Sequence, residues 1–394
     1  MPTSPVIERI ELTSFTFTIE NLVANTQGSS IAYHPGPGTP QKRLAVRVIA
    51  DTGVIGEYVG NRAATGVLMA HCEYLAYGLI GKPALERDNN YVHLRRATKH
   101  MGEFGVGTLD IALWDLAGKH HDASISQLLG GHRKKLKSYA STLRGDEYPD
   151  GLSSPEAYAD FAEQCLEVGY RGYKMHGWSS GNVQREIAML SAVGKRVGGR
   201  MDLMYDAACH LPTLADAIKI GRICDEFGFY WLEDPYSDGG ISIHGHQALK
   251  RLIKTPIMIN EHSRNPETNT DVLVAGATDF ARADPDLDGG VTGCYKIAIA
   301  AEGLGIDTEV HACGPSNRQL MAALKLSNYY EINLLHPRCA NPWSGPYYAD
   351  GYADQLDAID TDGCVPVPQG AGLGITYDWA LIERNKVELR IIGK

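Results

Sequence analysis

Three short apolar runs in the middle of the chain each close on an acid: DLMYD on Asp206, FYWLE on Glu233 and PIMINE on Glu261. The acids stand 27 and 28 residues apart, the length of one strand, one helix and two loops. Each run is rich in β-formers and is followed by a helical pattern, so the segment reads as repeated βα units. The alternation extends from SYAS at 138–141 to about residue 340, with strands ending near Ser141, His176, Asp206, Glu233, Glu261, Asp284, His311 and Leu335. Eight β-runs at roughly 25 to 35 residue intervals predict a (β/α) barrel. A doubly wound open sheet would need a Gly-rich phosphate turn after its first strand, and none is present. GAGLG at 370–374 opens no helix and follows no βαβ unit, so it reads as a turn.

Ahead of the barrel, residues 5–21 and 43–59 alternate as strands, the second around a tight DTG turn. Between them NTQGSSIAYHPGPGTPQK, rich in Gly, Pro and Ser, carries Tyr33 and His34. A loop of this length is expected to be either a functional lid or a disordered hairpin tip. From Ala63 to Ala123 the pattern turns helical, with GTLDIALWDLAGKHHDASISQLLGG stopping at Gly130 and Gly131. The last 50 residues show no further βα period.

Composition narrows the partners. A chain of 394 residues, 44% hydrophobic and 21% charged, fits two soluble domains or one barrel with additions. A net charge of −10 disfavours nucleic acid and anionic membranes as partners, and the basic run HRKKLK from His132 to Lys137 reads as a solvated linker. No apolar run reaches the ~20 residues that cross a bilayer, and MPTSPVIERIEL lacks a signal-peptide core. The cytoplasm is the expected location. The eight cysteines form no CxxC pair and are expected to be reduced and mostly buried.

The strand ends carry the candidate chemistry. In a parallel barrel they converge on one face. Any one of the three acids alone reads as a helix cap or an ion-pair partner, but three in register repel unless a cation sits among them. Hard oxygen donors on rigid strand ends suit Mg²⁺. In YKMH, Lys174 and His176 point the same way. A lysine among apolar walls near a cation is expected to lose its proton more easily and to act as a base; the alternative is an ion pair with one of the acids. Asp284 and His311, at neighbouring strand ends, form an acid and imidazole pair suited to acid/base work. Glu331, at the start of the last strand, is expected to donate to or charge-balance a substrate oxygen.

These motifs resemble a known family. GTLDIALWDLAGK with QLLGG, YKMH, YDA, WLEDP, NEH, the Asp284 segment running into GGVTG, and EVH are similar to the mandelate racemase-like subgroup of the enolase superfamily, over essentially the whole chain. The resemblance implies an α/β chain with a modified (β/α)₇β TIM-type barrel and an α+β capping domain. Residues 1–136 would form the cap, 137–345 the barrel, and 346–394 a segment returning to the cap. It implies Mg²⁺ on Asp206, Glu233 and Glu261, with Lys174, His176, the Asp284/His311 pair and Glu331 around the substrate. Loops near Tyr33, His34 and 57–62, Arg62 included, would close on a small carboxylate substrate. A homo-oligomer is expected because similar proteins commonly form one.

Two positions depart from the family pattern. Its strand motif Lys-x-Lys here has His176 in second place, leaving open whether Lys174, His176 or His311 is the base. The residue two past the metal Asp, usually Asn, is Ala208, so one hydrogen bond to that ligand is absent or comes from elsewhere. His262 and Arg264 in NEHSR add donors suited to a polyhydroxylated substrate. The expected activity is Mg²⁺-dependent dehydration of an aldonate or aldarate to a 2-keto-3-deoxy acid. Racemisation, epimerisation or lactone cycloisomerisation through the same enediolate, or sugar-acid binding without catalysis, are the alternatives.

Overall fold

The computed structural model describes residues 4–24, 31–61, 65–178, 180–236 and 242–394. The N-terminal region begins with strands β1 (Ile7–Thr18), β2 (Leu22–Ala24), β3 (Ile31–Tyr33), β4 (Pro40–Ala50) and β5 (Ile55–Gly60). The long connection between β1 and β4 is itself folded back, since β2 and β3 pair antiparallel. Helices α1 (Thr65–Ala76), α2 (Arg87–Ala97), α3 (Val106–His121) and α4 (Ile125–Leu128) follow.

The barrel is built of β6 (Lys135–Thr142), α5 (Pro155–Val168), β7 (Gly172–His176), α6 (Val183–Val197), β8 (Asp202–Asp206), α7 (Leu214–Phe227), β9 (Trp231–Glu233), α8 (Ile243–Lys250), β10 (Ile257–Met258), α9 (Pro266–Val274), β11 (Ala281–Ala283), α10 (Gly290–Gly303), β12 (Thr308–Val310), α11 (Pro315–Ala323) and β13 (Tyr330–Leu335). Each helix is followed by a strand, and β13 returns to pair in parallel with β6, the (β/α)₇β order. A continuous ladder runs β10-β9-β8-β7-β6-β13. Strands β11 and β12 pair with each other and join it through a bridge between Met258 and Phe280. Between β12 and β13, Glu331 Oε2 accepts the Ala312 amide at 2.8 Å, so a side chain stitches the ring there.

Local sequence explains the helix boundaries. Ser154 caps α5 by accepting from the Ala157 amide, Pro155 occupies the first turn, and Gly169 ends the helix at φ +126°. Thr213 and Gly228 do the same for α7, the glycine in the left-handed region. The run HRKKLK is half strand: Lys135 and Lys137 are exposed while Leu136 is buried. The K-L-K alternation opens β6, and charge hid a period of two.

The chain then adds β14 (Cys364–Pro366), α12 (Trp379–Arg384) and β15 (Lys386–Gly393). Strand β14 pairs antiparallel with the start of β6, and β15 pairs antiparallel with β1. The cap sheet thus has the order β15-β1-β4-β5. The GAGLG segment is a turn whose Leu373 amide donates to Asp115 of α3 at 2.8 Å.

Helix α3 is buried from Val106 to Gly118 because it lies between cap and barrel. Its Trp114 indole donates to Thr292 of α10 at 2.8 Å. A side chain at Gly107 would collide with the Pro285 carbonyl, so glycine lets α3 touch the loop that follows Asp284. Tyr58, buried at the end of the cap sheet, donates to Asp286 at 3.0 Å in that same loop. Both contacts seat the cap over the rim of the barrel. Among the described residues no helix is long and apolar enough to cross a membrane. Among the described residues no cysteine is in a disulfide, and Cys72, Cys165, Cys224, Cys294 and Cys313 are buried.

Candidate active site

Three residues stand abreast at the C-terminal rim. His176, Asp206 and Glu233 end β7, β8 and β9, and the register pairs His176 with Asp206 and Asp206 with Glu233. Glu261 lies three residues beyond the two-residue β10, after a turn in which Asn260 has φ +95°. Carboxylate oxygens of Asp206, Glu233 and Glu261 come within 4.8 Å of one another. Asp206 and Glu233 are buried. Three hard oxygen donors at this spacing, taken from water and facing each other, suit a small divalent cation such as Mg²⁺. With alanine at position 208 no side-chain hydrogen bond comes from there to Asp206, and the backbone makes one. Ala208 at φ +45° turns its amide onto Asp206 Oδ1 at 2.7 Å.

Lys174 stands in the ion pair that the sequence left open as the alternative to a free base. It is fully buried, with its ammonium 2.8 Å from Glu233 Oε2, 2.8 Å from Glu331 Oε1 and 3.5 Å from Asp206 Oδ2. Burial alone would favour the neutral amine, but Glu233 and Glu331 outweigh it and hold the lysine pKa well above its usual value. Both oxygens of Glu331 are engaged within the protein. Its Oε1 is taken by Lys174, and its Oε2 lies 3.0 Å from Arg282 and accepts the Ala312 amide. Against burial, Lys174 and Arg282 hold it well below the usual carboxylate range.

Arg282 is the residue that pattern reading missed. Buried on β11, it stands 2.7 Å from Glu233 Oε1 and 3.0 Å from Glu331 Oε2. Its signal was the two-residue spacing to Asp284 in ARAD, which puts both on one side of the strand. Two fixed cations, Lys174 and Arg282, thus offset Glu233 and Glu331. Asp206 and Glu261 are left as the charge a divalent ion would meet.

Two imidazoles flank the trio. His311 follows β12, with Nδ1 2.6 Å from Asp284 Oδ2 and Nε2 3.4 Å from Glu261 Oε1. Burial would lower its pKa, but Glu261 and then Asp284 raise it. His176 has Nδ1 2.7 Å from the Thr142 carbonyl and Nε2 2.9 Å from Asp206 Oδ2. A carbonyl only accepts, so Nδ1 is the donor there and Nε2 is the nitrogen turned to the site. Beside His176, the Arg144 guanidinium contacts the His210 ring, and both line a small recess that also includes Asp206 and Trp178.

The expected substrate contacts fare unevenly. Tyr33 is buried, stacked on His336 with ring centroids 4.2 Å apart, and its hydroxyl donates to Asp150 at 2.9 Å. It anchors the β2–β3 hairpin to the barrel and has no donor left for a substrate. His34 is exposed, with Nδ1 hydrogen-bonded to the Tyr148 hydroxyl. Arg62 and residues 25–30 of the expected lid lie outside the described residues. Arg264 donates to the Glu261 carbonyl. His262 is partly exposed, with Nε2 3.3 Å from Asp234.

Family comparison matches this geometry at two levels. The mandelate racemase / muconate lactonizing enzyme N-terminal domain matches residues 35–130, and the enolase C-terminal domain-like family matches residues 157–381. The chain is 28% identical to a D-galactarolactone cycloisomerase from Agrobacterium fabrum, over 84% of this chain and 88% of the relative. It is 27% identical to an L-talarate/galactarate dehydratase from Salmonella typhimurium, over 82% and 76%. The crystal structure of D-glucarate dehydratase from Agrobacterium tumefaciens complexed with magnesium superposes with a TM-score of 0.87 at 27% identity, over 98% of this chain and all of that one.

Proposed function

The chain belongs to the mandelate racemase/muconate lactonizing enzyme family of the enolase superfamily, and from that footing we propose that it is a Mg²⁺-dependent hydro-lyase acting on an acid sugar, an aldonate or aldarate. Similar chains are named as dehydratases of acid sugars, alongside a cycloisomerase. Asp206, Glu233 and Glu261 would hold the ion. When bound, Mg²⁺ supplies Lewis-acid stabilisation of the negative charge that develops on a carboxylate as its α-carbon loses a proton.

The proton work falls to the chain's own residues. His311, braced by Asp284, and His176, braced by the Thr142 carbonyl, each turn Nε2 toward a different member of the trio. That arrangement carries the reading. One ring takes the proton α to the carboxylate, and the other protonates the departing β-hydroxyl and so avoids expelling hydroxide. Lys174, kept charged by Glu233 and Glu331, acts as a fixed positive charge and not as the base. Arg144 with His210, and Arg264, provide donors at the mouth for hydroxyls or a second carboxylate.

A library of aldonic and aldaric acids assayed for keto-acid formation with and without Mg²⁺ tests the proposal. Mg²⁺-dependent keto acid from at least one member is the expected result. The same two-sided placement of imidazoles also suits proton transfer at a single carbon or cycloisomerisation. Turnover in D₂O that puts deuterium into recovered substrate, with no keto acid from any library member, would replace dehydration by that reading. Neither exchange nor product from any member would sink both.

A further inference from the structure

The three loops that carry the metal trio hold a second donor set of different chemistry. Cys209 lies three residues after Asp206, Asp234 one after Glu233, and His262 one after Glu261. One ligand atom from each of Cys209, Asp234 and His262 falls within 4.8 Å of the others. The Cys209 amide donates to the Asp234 carbonyl at 2.9 Å, which fixes the spacing of two of the loops.

Asp234 supplies an independent observation. Its side chain is completely buried, yet neither carboxylate oxygen receives a hydrogen bond. The His262 ring nitrogen 3.3 Å from Oδ2 is within ion-pair distance but not aligned to donate. A buried carboxylate without donors is costly to keep. Its setting here, between a thiol and an imidazole, has a direct chemical use.

We propose that Cys209, Asp234 and His262 form a second metal site, distinct from the all-oxygen trio, that takes a borderline thiophilic divalent cation of the Zn²⁺ type. The donor sets separate the ions: carboxylates alone suit Mg²⁺, whereas sulfur, nitrogen and one oxygen select zinc-like ions. Tetrahedral bonds of about 2.0 to 2.3 Å need donors roughly 3.3 to 3.8 Å apart. His262 already stands 3.3 Å from Asp234, and its side chain, 42% exposed, has room to rotate as the set closes on an ion. Three protein ligands leave the fourth position for water. Such an ion neutralises Asp234 and ties together the three loops that present Asp206, Glu233 and Glu261.

Cobalt(II) reads the site directly, because only thiolate coordination gives a sulfur-to-metal charge-transfer band in the near ultraviolet. The full chain, saturated with Mg²⁺ to fill the oxygen site, is titrated with Co²⁺ and back-titrated with Zn²⁺. The expected result is one equivalent of Co²⁺ with a thiolate band, displaced by Zn²⁺. The band is absent in Cys209→Ser, and affinity falls at least tenfold in His262→Asn with the band retained. No thiolate band in the wild-type chain, or an undiminished band in Cys209→Ser, would overturn the assignment. Because the readout is spectroscopic, it stands or falls apart from any result on acid-sugar turnover.

Discussion

His311 Nδ1 lies 2.6 Å from Asp284 Oδ2, while the opposite nitrogen of the ring faces Glu261. The carboxylate fixes which nitrogen carries the proton on that side, so the ring addresses the site through Nε2 alone. His311→Asn is expected to lower keto-acid turnover by about 10²- to 10⁴-fold, the usual weight of a general acid or base. Mg²⁺ affinity should change little. Kinetics with matched metal titrations check this, and near-normal turnover in His311→Asn would move both proton steps to His176.

Glu331 is clamped between Lys174 and Arg282, all three buried. Truncating one partner of such a network leaves charge without compensation, which costs about 3 to 5 kcal/mol. Glu331→Ala should destabilise the fold by that order and Glu331→Gln by less, in urea unfolding at pH 7. Little or no loss in Glu331→Ala would mean that water or rearrangement replaces the carboxylate.

Side-chain direction was legible in the chain before side-chain company was. Periodicity located the strands, and Asp206 and Glu233 stand at strand ends as the run lengths implied. Glu261, Asp284 and His311 lie just past theirs, because β10 to β12 are only two or three residues long before the chain turns. The pairing of Lys174 with acids of the trio was one of two alternatives the chain left open, whereas its third partner, Glu331, arrives from β13, two strands along the ladder. Alternation tells which way a lysine points and not what waits there. The company of Tyr33 was hidden in the same way: an aromatic in a Gly/Pro-rich loop suggests a substrate contact, and the stacking on His336 came only with the fold.

Ala208 holds Asp206 Oδ1 through its backbone amide at 2.7 Å. A left-handed alanine costs roughly 1 to 2 kcal/mol, while glycine there loses about 0.5 to 1 kcal/mol of chain entropy on folding. Ala208→Gly should therefore leave stability unchanged or raise it by up to roughly 1.5 kcal/mol. Ala208→Pro cannot adopt the conformation and has no amide to give. It should weaken Mg²⁺ binding about 10- to 100-fold, the usual cost of losing a hydrogen bond to a ligand. Isothermal titration of both variants decides it, and unchanged affinity in Ala208→Pro would show that this amide does not tune the ligand.

Glu309, on β12 and fully buried, accepts from the Asn328 amide and side chain at 3.1 and 2.8 Å and from the Tyr329 amide at 3.2 Å. Burial still dominates, and its carboxyl is pushed up to about 7. An unfolded glutamate titrates near ~4.3, so between those values the folded chain binds the extra proton. Stability from this group is therefore present at low pH and is lost as pH rises from about 4.3 through about 7. Glu309→Gln cannot ionise, so the gap between wild type and variant should shift by up to ~3 kcal/mol in the variant's favour from pH 5 to pH 8. Chemical denaturation of both proteins across that range measures the shift. A gap that stays constant would mean that the three donors, and not burial, set the charge of this carboxylate in the folded chain.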